Sequence, residues 1–184
     1  IDKDLFDSAV KNVFSEPQLD IVTTEIDACG GKVFAVEYLP GQYDQRAASA
    51  AECVSFLEQG MKTILENDLN GFRPVFKRWF LSDAACQADL IPVDETCAAS
   101  VIQQPPMDGS KAVLWVWMMK NVSDRYSYSF KGNLLSDNTD SYGQMRDIFE
   151  NYSESLKENS LNVAEHCART WIYVRDVDVN YAGI

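Results

Sequence analysis

Apolar residues at Ala47, Ala50, Ala51, Val54, Leu57, Met61, Ile64, Leu65 and Leu69 recur at spacings of three and four. That spacing puts them on one face of a helix. The pattern predicts about six or seven turns within residues 44–70. Asn70-Gly71 is a C-terminal stop, and Pro74 bars continuation. Residues 75–81, Val-Phe-Lys-Arg-Trp-Phe-Leu, then read as a buried strand rich in aromatic and β-branched side chains. The same order returns about 92 positions later. Met145, Ile148, Phe149, Tyr152 and Leu156 mark a second helix within 142–161, and residues 169–176 match the strand, with Trp171 standing where Trp79 stands in the first copy. A repeat of a whole supersecondary unit constrains architecture before any single residue does.

The remaining segments complete the first copy. Residues 20–27 and 32–39 predict two strands, joined by Cys29-Gly30-Gly31 in a hairpin that exploits the positive φ open to glycine. Residues 84–91 predict a short helix, and 101–104 and 111–120 predict two further strands joined by a Pro-rich tip. The run Ala112 to Met119 is apolar on both parities, so that strand is expected to be covered on both faces. Tyr126, Tyr128 and Phe130 alternate with polar residues, which predicts a half-buried strand over 125–134. Upstream, Leu5, Phe6, Ala9, Val10, Val13 and Phe14 predict a helix ending near Pro17. The expected organisation is an N-terminal helical extension over 1–19, a domain over 20–120, and the first part of a second, similar domain over 121–184. An incomplete second copy would leave the 169–176 strand as an open edge, which proteins normally pair or protect.

Charge narrows the partners. Sixteen Lys and Arg among 28 Asp and Glu leave a formal charge of −12. Polyanions are bound by concentrated cations, so the balance argues against nucleic acid and against anionic membrane surfaces. No apolar run reaches the length of a membrane-spanning helix, and a cytoplasmic location is expected. Five cysteines without a CxxC pair make a poor disulfide framework, although one bridge stays open, and one histidine rules out the usual zinc-site patterns. No metal and no cofactor is expected.

Arg169-Thr170-Trp171-Ile172-Tyr173-Val174-Arg175-Asp176-Val177-Asp178, following a long helix, resembles the YjgF/RutC family of reactive-intermediate deaminases. The 101–119 hairpin is similar to that family's closing hairpin, and within the family the tandem arrangement with Ala168-Arg169-Thr170-Trp171 is most similar to chorismatase-type proteins. The resemblance implies α+β domains of order ββαβαββ. Their mostly antiparallel sheet is covered on one face by the long helices, and they assemble as homotrimers or rings through the other. It implies an enzyme acting on a small carboxylate, in which this portion serves as scaffold and interface. A deaminase-type hydrolase of imines or enamines, or a non-catalytic binding module, are the alternatives. The deaminases hold the substrate carboxylate with an Arg at the start of the closing hairpin. The matching stretch here is Ala98-Ala99-Ser100-Val101, and neither Ala nor Ser reproduces a guanidinium fork. Proteins labelled endoribonucleases also belong to the family; the acidic balance disfavours that activity.

No catalytic residue is assigned. Arg78 and Arg169, with Lys77, are the candidate ligand-binding residues, on the reasoning that strand-borne cations at a domain interface could hold an anion. Their alternative is pairing with local acids or solvent. Trp79 and Trp171 read as core more readily than as a ligand platform. His166 reads as a helix-end residue rather than as an acid–base partner of Glu165. Arg175 with Asp176 and Asp178 reads as a solvated strand end.

Overall fold

The computed structural model describes residues 19–28, 31–40, 49–107, 109–120 and 128–184, with backbone alone for the first two segments and for Lys120. The expected 1–18 helix and the hairpin turn at Cys29-Gly30 lie outside them. The chain divides into two compact units, 1–133 and 134–184.

The first unit is built on a five-stranded sheet. Strands β1 (Leu19–Ala28) and β2 (Gly31–Pro40) pair antiparallel, with Ala28 opposite Gly31. Helix α1 (Ala50–Asn67) follows, then β3 (Arg73–Leu81). A one-turn helix α2 (Ala84–Gln87) and a 3-10 turn at Ala88–Leu90 lead to β4 (Ala98–Gln103) and β5 (Ala112–Lys120). The order across the sheet is β1-β2-β5-β3-β4, and only the β3–β4 pair is parallel.

Helix α1 starts at a reciprocal cap. The Glu52 N–H donates to Ser49 Oγ (3.3 Å), and the Ser49 N–H donates back to Glu52 Oε2 (2.8 Å). It ends two residues earlier than its apolar spacing suggests, and Gly71 supplies the left-handed turn (φ 84°) that redirects the chain into β3. Its face of Cys53, Val54, Leu57, Met61 and Ile64 packs with Trp79, Leu81, Ala112, Leu114, Val116 and Met118 into one core. Register explains the set: Trp79 lies opposite Leu114, and Leu81 opposite Ala112. Both therefore point to the α1 side. The other parity of β5 forms the second face, where Val113 and Met119 are buried and Trp115 and Trp117 half-buried. The strand is thus covered on both faces, more tightly under the helix.

The expected 125–134 strand does not appear among its described residues. Residues 128–133 are irregular and lie against the second face. Phe130 stacks on Phe76 (centroids 6.3 Å apart) and tilts against Trp117 (6.1 Å). The Asn133 N–H donates to Ser100 Oγ (3.1 Å). Gly132 passes so close to the Ala99 carbonyl that a Cβ there would collide with it. The segment hydrogen-bonds a side chain where a strand would have joined the backbone ladder.

The second unit contains helix α3 (Ser141–Lys157), the one-turn helices α4 (Val163–His166) and α5 (Val177–Asn180), and a 3-10 turn at Tyr181–Gly183. Asp140 caps α3 by accepting from the Gly143 N–H (2.8 Å). Residues 169–176, expected as a strand, are irregular, and Trp171, Ile172 and Tyr173 are exposed. A strand is defined by neighbours that pair its N–H and C=O groups, and this unit holds no other strand. Both amphipathic runs therefore form a helix, and only the first is followed by a strand.

Candidate functional site

Arg78 is carried on β3 with the parity of Phe76 and Phe80, so it stands on the second face of the sheet. Its guanidinium lies 4.1 Å from the Trp115 ring centroid and 5.5 Å from that of Phe76. Both are within cation–π range, and the interaction gains strength out of water. At 8% exposure Arg78 is buried in this aromatic setting. Its register partner on β4 is Ser100, and side chains opposed in a ladder share a face. Arg78, Ser100, Trp115, Phe76 and Phe130 therefore collect on one side of the sheet. It is an aromatic surface holding one cation, with the Ser100 hydroxyl engaged by Asn133.

Lys77 points the other way. It lies under α1, where its Nζ is 2.9 Å from Glu58 Oε1 and 3.9 Å from Asp94 Oδ2. It thus clasps helix, strand and the loop before β4, and it is not available to an interfacial anion. The Thr96 hydroxyl and N–H (2.6 and 3.0 Å) fix Asp94. The Thr96 hydroxyl bond, helped by the Thr96 N–H and by Lys77, holds its carboxyl below the ordinary range against a partial desolvation. Beside this clasp, burial pushes the Cys97 thiol up to about 11, with Lys77 opposing and Asp94 and Glu58 assisting. A thiol held neutral is a poor nucleophile. Sequence reasoning did not find the clasp, although a signal was present. Glu58 falls on the buried face one position after Leu57 and three before Met61, and Lys77 shares the parity of Trp79.

Arg169 stands in the second unit. Its guanidinium lies 5.5 Å from the Trp171 centroid, and its side chain is exposed. Trp79 is fully buried core, while Trp171 is 38% exposed. His166 ends α4 with Nδ1 3.2 Å from the backbone N of Asn162, and Glu165 instead accepts from Asn162 Nδ2 (2.7 Å). The two side chains therefore do not form an acid–base pair. Arg175 meets Asp176 at 3.3 Å in solvent. The hollow of about 310 Å³ along α3 is walled by Arg146, Phe149, Glu150, Ser153, Glu154 and Lys157 of that one helix, so it encloses nothing.

Cys86, Cys97 and Cys167 are free thiols; Cys29 lies outside the described residues. Among the described residues no cluster of His, Cys, Asp or Glu could hold a metal ion, and no helix is long and apolar enough to cross a membrane. Comparison with protein-family models, with curated proteins and with solved structures finds no match to this chain. The functional reading therefore rests on the second face of the sheet.

Proposed function

We propose that this chain is the interface-forming N-terminal portion of a tandem YjgF-like protein of chorismatase-like type, whose chemistry on a small carboxylate is carried elsewhere. The observation behind this reading is the head of β4. Where the resemblance would place a carboxylate-gripping Arg, the strand opens Ala98-Ala99-Ser100-Val101, and no guanidinium stands there. Two further features support the reading. The element order β1-β2-α1-β3-α2-β4-β5 is the order the resemblance implies. The sheet face away from α1 carries Phe76 and Met119, buried within the chain, and the half-buried Trp115 and Trp117, in place of the polar residues a solvated face carries. Such a face fits burial against further copies of the chain. The proposed assembly is a homotrimer or ring. Light scattering of the purified chain tests it: the reading expects a threefold multiple of the 20.7 kDa chain mass, and a monomer up to high micromolar concentration would refute it.

One observation favours a second reading, a module that binds a small carboxylate through Arg78. Arg78 lies directly across from Ser100, so a guanidinium on the neighbouring strand faces the position left empty on β4. Titrating pyruvate and benzoate while following tryptophan fluorescence separates the two. A saturable change lost in Arg78→Met selects the binding module, and an unsaturable response selects the scaffold.

A further inference from the structure

We draw no further inference here: the strongest candidate, the buried side-chain cluster of Lys77, Glu58, Asp94 and Cys97 between α1, β3 and the loop before β4, is closed on itself, its carboxylates holding the lysine and burial keeping its thiol neutral, so that nothing in the structure points to a ligand or reactant for it.

Discussion

Helix α1 with β3, and helix α3 with residues 169–174, are written in the same hydrophobic pattern and end in different states. In the first pair Cys53, Val54, Leu57, Met61 and Ile64 are at most 3% exposed, and Trp79 is fully buried. In the second unit Gly143 is the one buried residue, while Trp171, Ile172 and Tyr173 stand 38–48% exposed. An amphipathic helix followed by a β-prone run is thus not a core. The helix forms in both places because its hydrogen bonds are internal. The strand forms only where β4 and β5 flank it and satisfy its backbone. The sheet turns the pattern into burial, and the strongest expected effects follow that division.

The largest contrast is between the two tryptophans. Trp79→Ala should cost roughly 3–5 kcal/mol of unfolding free energy, as removal of a fully buried aromatic does. Trp171→Ala should cost under about 1 kcal/mol, in the range of a surface substitution. Urea unfolding followed by circular dichroism reads both, and comparable losses would show that the 169–174 run has a buried role. The Trp79 indole N–H has no hydrogen-bond partner among the described residues. Trp79→Phe should therefore lose volume without losing a hydrogen bond, and fall well short of the alanine cost.

The ionic contacts extend the comparison at slightly smaller size. Lys77 and Glu58 meet at 2.9 Å with side chains 5% and 12% exposed; Arg175 and Asp176 meet at 3.3 Å with 93% and 68% exposed. Lys77→Met leaves the buried Glu58 carboxylate without its ion-pair partner, and should cost about 3 kcal/mol. The double change Lys77→Met with Glu58→Leu should recover much of that loss, because the orphaned charge is gone. Arg175→Met should stay within about 0.5 kcal/mol, the usual worth of an exposed pair. A Lys77→Met variant as stable as the native chain would show that water reaches the clasp.

How far the sequence foretold these differences depends on the kind of information needed. Spacing alone located α1, α3 and the five strands, because a helix face and a strand parity are local properties. The α+β class followed, as did burial on both faces of β5. The 169–174 and 128–134 runs carry strand composition but lack strand structure, since pairing depends on neighbours that local pattern does not reveal. Arg78 and Lys77 are adjacent in sequence, yet strand alternation sends one to the aromatic face and the other under α1. The resulting clasp with Glu58 and Asp94 joins residues up to 36 positions apart, a relation no single motif encodes. The Arg78–Ser100 juxtaposition required the parallel β3–β4 register, which became visible only once the sheet order was known.

Thiol chemistry sharpens the same contrast without mutation. Cys97 is held neutral up to about 11 by burial, whereas Cys167 is only partly buried. A folded-state pKa raised above the ordinary value near 9 contributes stability that is complete below pH 9. That stability is lost as pH climbs toward 11, because the unfolded chain then releases the proton more readily. Stability should thus fall across pH 9–11, and Cys97→Ala should flatten that limb whatever it costs at neutral pH. A limb of unchanged steepness would mean that another group dominates the alkaline transition. Asp94 acts on the acid side with the opposite sign. Its lowered pKa adds stability above the ordinary carboxylate range that disappears as pH falls through its folded value.

The smallest effect concerns how each helix begins. Ser49 and Glu52 close α1 reciprocally, but α1 is also held by a buried face, so its cap is one contribution among many. Helix α3 lacks that face, and its first turn depends on Asp140 accepting from the Gly143 N–H. Gly143 is there because a Cβ would collide with the Asn138 side chain that completes the turn. Asp140→Ala should cost about 1 kcal/mol, the usual worth of an N-cap. In a unit with so little buried surface, that loss should appear as fraying of α3 rather than as a shift in a cooperative transition. Backbone hydrogen exchange separates the cases. Faster exchange confined to the first turns of α3 matches a helix held by its own cap, whereas unchanged exchange would mean that burial beyond this unit, such as a neighbouring copy, secures it.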